Sequence, residues 1–251
     1  MKLHKIIIGS LLAASALLAN GHGTHWGYTG HEGPTNWGDI DAKYTMCKVG
    51  SSQSPINITK KVTVESDDLK DIKFSYTTGA KEVVNNGHTI QVNVADGSFI
   101  EVDGIKFALK QFHFHTPSEN QIDGKNFPLE AHFVHVSDKG ELAVVAVLFE
   151  DGKENSVLKK IWNKMPHKAG ETSGCGLSSK VINSILPKDK DYYRFSGSLT
   201  TPPCSEGVRW LVMEKYSHIS AAQTKEFLDI FHHANNRPIQ SINARKVMQA
   251  D

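Results

Sequence analysis

The stretch GIKFALKQFHFH, residues 104–115, shows which kind of fold this chain adopts. It is rich in aromatic and branched residues and is flanked by turn-forming residues, a pattern typical of a β-strand. Side chains of a strand point alternately to opposite faces, so Gln111, His113 and His115 share one face. Phe112 and Phe114 share the other face and are predicted to anchor the strand in the core. The stretch therefore predicts a strand with one chemical face and one buried face.

Strand-like runs recur along the chain between turn signals such as Asp-Gly. The run LAVVAVLFE, residues 142–150, is apolar on both faces and is predicted to lie centrally in a sheet. Residues 154–165 and 220–234 have helical periodicity, and the second begins with Ser220 and Gln223 in the spacing of a capping box. We predict a mainly β domain: one large, twisted, mostly antiparallel central sheet with short peripheral helices.

Residues 1–19 have the pattern of a signal peptide. MKLHK is a short basic start, and IIIGSLLAASALLA is an apolar segment too short to span a bilayer comfortably. Cleavage is expected after Ala19, which leaves a single domain of residues 20–251 in the periplasm or outside the cell. An uncleaved membrane anchor is the alternative.

The charge balance limits the partners that this chain can have. It has 28 Lys and Arg residues and 27 Asp and Glu residues, for a formal net charge of +1. A balanced charge without long basic runs argues against a nucleic-acid partner. After residue 19 no apolar stretch is long enough to cross a bilayer, so no membrane span is expected in the mature chain. The sequence leaves the choice between a monomer and a homodimer open.

The chain has three cysteines, Cys47, Cys175 and Cys204. An oxidising compartment would allow two of them to pair, and the sequence leaves three pairings open. Cys175 lies in the flexible-looking stretch GETSGCGLSS, so it is the natural one to stay unpaired. No two cysteines have the CxxC spacing of a zinc ribbon or a thioredoxin-type site.

Two imidazoles on one strand face can bind one metal ion. A catalytic zinc site needs three protein ligands and an open position, so a third histidine is required. The run LEAHFVH, residues 129–135, offers His132 and His135 on opposite faces. His132 shares its face with Glu130, which could accept the second ring N–H of a ligand, as Gln111 could. His132 is therefore the expected third ligand, and His135 is expected to pack or to face solvent. Imidazole ligands suit zinc, and also copper, iron and nickel.

A second kind of metal site also fits part of this pattern. His113 and His115, followed by Glu119, match the way a cupin arranges a three-His, one-Glu site for iron or manganese. The next glycine comes early for a cupin, at Gly124, and a second cupin motif is not seen. We therefore disfavour the cupin alternative.

Seven motifs together resemble the α-class carbonic anhydrases, most closely the exported bacterial branch. They are HWGYTG (25–30), QSPINI (53–58), NNGH (85–88), QFHFHTPSEN (111–120), EAHFVH (130–135), SLTTPPCSEGVRW (198–210) and NNRP (235–238). The resemblance covers the chain from residue 25 almost to its C-terminus. It implies an enzyme that hydrates carbon dioxide reversibly to bicarbonate and a proton, by attack of zinc-bound hydroxide.

The resemblance also implies roles for individual residues. One zinc ion per chain would be held by His113, His115 and His132, with Gln111 and Glu130 as the outer partners of these ligands. Thr200 would accept a hydrogen bond from the hydroxide and donate one to Glu119, which makes Glu119 an outer residue and not a ligand. His88 would carry the proton away, because a histidine that titrates near neutrality can pass it to buffer. Without the resemblance, the favoured interpretation of His88 is an ordinary turn histidine after Asn86-Gly87.

The remaining implied roles concern substrate, water and the cysteines. Thr200 and Thr201 would contact bicarbonate. The apolar residues expected to hold carbon dioxide are Val134, Val144, Leu199, Val208 and Trp210. The residues expected to order a water chain are Tyr28, Asn86 and Gln91. Cys47 and Cys204 match the disulfide of extracellular and bacterial members.

A binding protein without catalysis is the alternative from a different functional class. A periplasmic zinc-binding or zinc-delivery protein would keep the three histidines but would not need Thr200, Glu119 and the apolar wall. His22 and His25, near the expected start of the mature chain, are expected to belong to an inert segment, with a metal-scavenging tail as the alternative.

Overall fold

A computed structural model describes residues 24–249 of the chain. The predicted signal peptide, residues 1–19, and His22 lie outside the described residues. Within residues 24–249, no helix has both the length and the apolar character needed to cross a membrane.

Fifteen strands and five short α-helices make up the described part of the chain. The strands are β1 (Asn57–Ile58), β2 (Thr63–Glu65), β3 (Lys73–Ser75), β4 (Ala80–Asn85), β5 (Ile90–Val94), β6 (Phe99–Val102), β7 (Ile105–His115), β8 (Gln121–Ile122), β9 (Leu129–Ser137), β10 (Leu142–Asp151), β11 (Thr172–Gly174), β12 (Tyr192–Ser198), β13 (Glu206–Met213), β14 (Ser217–Ile219) and β15 (Val247–Gln249). The helices are α1 (Trp37–Ile40), α2 (Met46–Val49), α3 (Ser156–Trp162), α4 (Ser179–Asn183) and α5 (Ala221–Phe231).

One sheet of 13 strands dominates the fold, and its main path runs β11-β4-β5-β7-β9-β10-β13-β12-β15-β2. Most neighbours are antiparallel, including β5–β7, β7–β9 and β9–β10. The parallel pairs of this sheet are β10–β13, β10–β14 and β15–β2. The predicted fold class is confirmed. The run predicted to be central is β10, which lies between β9 and β13 in the middle of the sheet.

Both predicted helices form, and each is shorter than its periodic pattern. Helix α3 starts after Asn155, whose side chain accepts hydrogen bonds from the backbone of Val157 and Leu158. Helix α5 begins with the predicted capping box of Ser220 and Gln223. It ends at Phe231, because His232 has a left-handed backbone with φ of 60° and closes the helix. The last residues of the predicted segment therefore form a loop.

The two faces of the sheet bury separate clusters. The first core cluster includes Phe107, Leu109, Phe112 and Phe114 of β7. The second core cluster includes Val134, Val144 and Trp210.

A bulge in β7 explains how odd-numbered and even-numbered residues of this strand reach the same core cluster. Phe107 and Leu109 are odd-numbered, whereas Phe112 and Phe114 are even-numbered, yet all four lie in the first core cluster. The register with β9 shifts between Leu109 and Gln111, which inserts one extra residue. Because a one-residue shift exchanges the two faces of a strand, the bulge turns Gln111, His113 and His115 away from the first core cluster.

Candidate metal centre

Three histidines on two neighbouring strands converge at one point. His113 and His115 lie on β7, and His132 lies on β9 directly opposite His113. One ring nitrogen from each lies within 4.8 Å of the other two. The ring centroids are 5.1 Å apart for His113 and His115, and 4.7 Å apart for His115 and His132. Two antiparallel strands thus bring together the three side chains that the sequence predicts as ligands.

Each of the three rings has a polar partner on its other nitrogen. Gln111 Oε1 lies 2.9 Å from His113 Nδ1. The backbone oxygen of Asn235 lies 2.7 Å from His115 Nδ1. His132 Nε2 lies 3.0 Å from Glu130 Oε1. Such outer contacts fix the ring orientation and the tautomer of metal-binding histidines.

Burial favours the neutral form of His113 and His115, which is the form of imidazole that binds metal. Burial lowers the pKa of His113 well below its usual value, and the charges of His115 and His132 lower it further. Burial also lowers the pKa of His115.

Two buried carboxylates stand beside the histidines. Glu130 accepts hydrogen bonds from the backbone of Glu119 at 2.8 Å and of Asn120 at 2.9 Å, and from the Asn120 side chain at 2.7 Å. Burial alone would raise the pKa of Glu130, but the charge of His132 and these hydrogen bonds lower it overall. Burial raises the pKa of Glu119 to about 7, although Glu119 Oε1 accepts a 2.8 Å hydrogen bond from the backbone of Arg237.

The donor set and its surroundings fit a zinc ion. His115 Nε2 is buried, faces Glu119 Oε2 at 3.5 Å, and has no hydrogen-bond partner among the described residues. Burial of polar atoms without partners costs free energy, so the site is arranged for a further group. Three imidazoles that leave one coordination position open are the ligand set of a catalytic zinc site.

An apolar wall lies beside the histidines. Val144 of β10 is opposite Val134 of β9 on one side and Trp210 of β13 on the other. The Trp210 ring lies 4.9 Å from the His132 ring. Val208 is buried in the same cluster, and Leu199 packs against it half-buried. The structure therefore places four residues of the predicted apolar wall in the second core cluster and Leu199 against it.

The loop that carries Thr200 and Thr201 is anchored at its C-terminal end by Cys204. Cys204 donates a backbone hydrogen bond to Thr201 at 2.9 Å and forms a disulfide with Cys47, which confirms the predicted bridge. Cys175 is the remaining cysteine and is half-buried. Thr200 is buried, and its hydroxyl is close enough to Glu119 to lower the pKa of that carboxyl.

The family model for "Eukaryotic-type carbonic anhydrase" matches residues 32–251 of the chain. This chain belongs to that carbonic anhydrase family.

Relatives in the carbonic anhydrase family match nearly the whole chain. A carbonic anhydrase of Neisseria gonorrhoeae is 49% identical over 95% of this chain and 94% of its own length. The structure of an α-carbonic anhydrase from Thermovibrio ammonificans, in complex with the inhibitor sulfanilamide, covers 90% of this chain and 99% of its own, with a TM-score of 0.87 and 48% identity. The α-carbonic anhydrase of Photobacterium profundum has a TM-score of 0.82 and 46% identity, over 89% of this chain and 100% of its own.

His88, the predicted proton carrier of this carbonic anhydrase, lies in a more buried environment than the sequence predicts. Its ring stacks on Trp26, with centroids 3.8 Å apart and planes 5° apart. Burial lowers the pKa of His88 to about 4, and the charges of His25 and His233 contribute. The expected titration near neutrality therefore does not hold for the stacked ring.

The predicted water-ordering residues lie around the same turn. Asn86 Oδ1 accepts hydrogen bonds from the backbone of His88 at 3.0 Å and of Thr89 at 2.9 Å. Asn86 also donates to Gln91 at 3.4 Å, and Gln91 lies opposite His113 on the neighbouring strand. The Tyr28 hydroxyl is buried, and no residue of the described range forms a hydrogen bond with it.

Sequence reasoning missed the role of Asn235. Its backbone oxygen accepts from His115, and its side-chain oxygen accepts from the backbone of Thr116 at 2.8 Å. Its side-chain nitrogen donates to the backbone oxygens of His88 and Phe114, both at 3.0 Å. The sequence signal for this residue is the motif NNRP, because Asn235 is its first residue. The resemblance assigned no role to that position.

His135 was expected either to pack inside the protein or to face solvent, and the structure shows that it packs. The ring is fully buried on the face opposite His132. Its Nε2 lies 2.8 Å from the Tyr76 hydroxyl, and its Nδ1 lies 3.3 Å from the Ala143 backbone oxygen. Burial lowers the pKa of His135 to about 3, so the ring is neutral and structural.

Proposed function

We propose that this chain hydrates carbon dioxide reversibly to bicarbonate and a proton, with one zinc ion held by His113, His115 and His132. The observation that carries the proposal is the three-histidine cluster beside an apolar wall in a member of the carbonic anhydrase family. When bound, the zinc ion supplies hydroxide at neutral pH, because coordination lowers the pKa of water from about 15.7 to about 7.

Gln111, Asn235 and Glu130 hold the three rings in place. Each occupies the ring nitrogen that does not face the centre of the cluster. The inward nitrogens are therefore His113 Nε2, His115 Nε2 and His132 Nδ1. Fixing the rings in this way reduces the free energy needed to order the ligands when zinc binds.

Thr200 and Glu119 orient the nucleophile. The Thr200 hydroxyl donates a hydrogen bond to Glu119, so that only its oxygen lone pairs face the reacting atoms. Glu119 keeps its position because Oε1 is held by the backbone N–H of Arg237. The nucleophile must then donate a hydrogen bond to the Thr200 oxygen. This hydrogen bond directs a lone pair of the nucleophile at the carbon of carbon dioxide.

The apolar wall binds the substrate without strong polar contacts. Carbon dioxide has no charge, and Val134, Val144, Leu199, Val208 and Trp210 offer it an apolar surface beside the histidines. Bicarbonate is charged and contacts Thr200 and Thr201. A product that fits the wall poorly leaves readily.

His88 carries the released proton to buffer. The stacked ring, with its pKa of about 4, stays neutral at physiological pH. We propose that the ring accepts a proton after it moves off Trp26 into water, where an imidazole has a pKa near 6.5. Asn86, Gln91 and Tyr28 order the water between His88 and the centre.

The Trp26→Ala variant is expected to raise the pKa of His88 from about 4 toward 6.5. Burial against the indole disfavours the charged imidazolium, so exposure makes protonation easier. NMR titration of the ring protons measures the shift, and the spectrum of His88→Ala identifies the resonance. Trp26→Phe keeps an aromatic partner and should keep the low pKa. An unchanged pKa in Trp26→Ala would show that the stacking is not its cause.

Stopped-flow measurement of carbon dioxide hydration, with zinc content determined on the same sample, tests the proposed function. The rate is expected to exceed that of buffer and to scale with the zinc content. Sulfanilamide, the inhibitor in the Thermovibrio ammonificans complex, is expected to suppress it. A fully zinc-loaded protein with no rate above buffer would instead be a zinc-binding protein without catalysis.

We also propose that the chain is exported and functions in the periplasm or outside the cell as a single domain of residues 20–251. The Cys47–Cys204 disulfide supports export, because disulfides persist in oxidising compartments. N-terminal sequencing of the mature protein, with Asn20 expected first, tests the cleavage site.

A further inference from the structure

A second histidine, His233, lies near the predicted proton carrier. Aromatic contacts connect His233 to His88, because its ring lies near that of Tyr28, Tyr28 packs against Trp26, and Trp26 stacks on His88. His25 is exposed, and its Nδ1 lies 3.0 Å from Glu32 Oε1. His233 is half-buried, and its ring lies 6.2 Å from the ring of Tyr28.

The loop that carries His233 is fixed to both His88 and the metal centre. Asn235, two residues further on, donates to the backbone oxygen of His88 at 3.0 Å. The same residue accepts from His115 Nδ1 at 2.7 Å. At its other end the loop leaves α5 through His232. His233 thus lies on a loop that contacts both the His88 turn and His115 of the metal centre.

One nitrogen of the His233 ring is available to accept a proton. Its Nδ1 lies 2.9 Å from the backbone oxygen of Ala234. A carbonyl oxygen can only accept, so Nδ1 carries the hydrogen of this bond. In the neutral ring the other nitrogen, Nε2, therefore has a free lone pair. This nitrogen can take up a proton while the bond to Ala234 stays intact.

Tyr28 lies next to His233 and has a buried hydroxyl. Its ring packs against Trp26, with centroids 5.7 Å apart, as well as against His233. Burial, and then the charge of Glu119, raises the pKa of Tyr28 well above its usual value. The Tyr28 hydroxyl is therefore neutral and can both donate to and accept from water on a path toward His233.

We propose that His233 is a second proton carrier that works in parallel with His88. Hydration of carbon dioxide releases one proton per bicarbonate. That proton passes through water to Nε2 of His233 and forms an imidazolium, which then gives it to a buffer base and returns to the neutral ring. This proposal rests on the proposed hydration activity. It provides a proton acceptor while the His88 ring is stacked on Trp26.

The test compares His233→Ala with its neighbour variant His232→Asn, in the zinc-loaded protein and in a low concentration of a buffer without imidazole. Asn is chosen at position 232 because it tolerates the left-handed backbone there. Both variants are made in the natural background and in the His88→Ala background. For each, kcat and kcat/KM for hydration are measured, and small imidazole buffers are then added.

With two parallel carriers, His233→Ala should lower kcat about twofold, and the double variant with His88→Ala about tenfold or more. The value of kcat/KM should stay unchanged, because proton release to buffer follows the hydration step. Imidazole should restore kcat, and His232→Asn should have no effect.

The proposal is overturned if His233→Ala leaves kcat unchanged in the His88→Ala background, or if His232→Asn lowers kcat equally. A fall in kcat/KM that imidazole does not restore would indicate a structural role and would also overturn it. Failure of the proposed function is a separate result, because the natural protein would then show no hydration with full zinc.

Discussion

The His132→Ala variant is expected to lose zinc and hydration activity together. His132 is one of the three proposed ligands, and two imidazoles hold the ion poorly. Loss of an outer partner alone typically weakens zinc binding by about 10- to 100-fold, so loss of a ligand should exceed about 100-fold. Zinc is measured after dialysis against a chelator of known free zinc, and the hydration rate is measured on the same sample.

His135 provides the matched control for this variant. It is a buried histidine on the same strand, three residues away and on the opposite face, where it contacts Tyr76 and Ala143. The His135→Gln variant keeps polar atoms for these contacts and should retain a full equivalent of zinc. Its stability is compared separately by denaturation. A full zinc equivalent in His132→Ala would refute the ligand assignment. Zinc loss confined to His135→Gln would show that the third ligand is His135, on the opposite face of β9.

Loss of the Cys47–Cys204 bridge is expected to lower the free energy of unfolding by about 5 kcal/mol at most. The bridge joins residues 157 positions apart, so it removes much conformational entropy from the unfolded chain. It also holds Cys204 beside Thr201, within the loop that carries Thr200. The double variant Cys47→Ala/Cys204→Ala should therefore unfold at lower denaturant concentration than the oxidised protein, and reductant should shift the natural protein in the same direction.

Cys175 supplies the control for the disulfide. It is a half-buried free cysteine that packs against the first core cluster. Cys175→Ala should keep the response to reductant, because the bridge is intact in that variant. The double variant should no longer respond to reductant. If the double variant and the oxidised protein unfolded at the same denaturant concentration, the bridge would contribute nothing to stability.

Local patterns were sufficient wherever the decisive contact lies within one element. The capping box of α5 depends on residues three apart, and Ser220 and Gln223 form it as predicted. Strand alternation placed His113 and His115 on one face and His132 on the face opposite to that of His135. The match to family motifs identified the disulfide and the apolar wall, whose members come from strands far apart in the sequence.

Contacts across long sequence separations could not be predicted from any local pattern. Asn235 reaches His115 across 120 residues, and the backbone of Arg237 reaches Glu119 across 118. The pKa of His88 also depends on such a contact, since Trp26 buries a ring that the sequence alone places in an ordinary turn.

By itself the sequence determined which of the histidines proposed as zinc ligands share a strand face, because a strand has a period of two and a one-residue error would move a histidine to the other face. Only the tertiary structure decided which groups hold those histidines in place and which neighbour buries the ring of His88. The bulge in β7, the Asn235 loop and the stack on Trp26 all depend on burial and on neighbours distant in sequence. Local periodicity does not encode such neighbours, and burial by them sets both ring orientation and pKa.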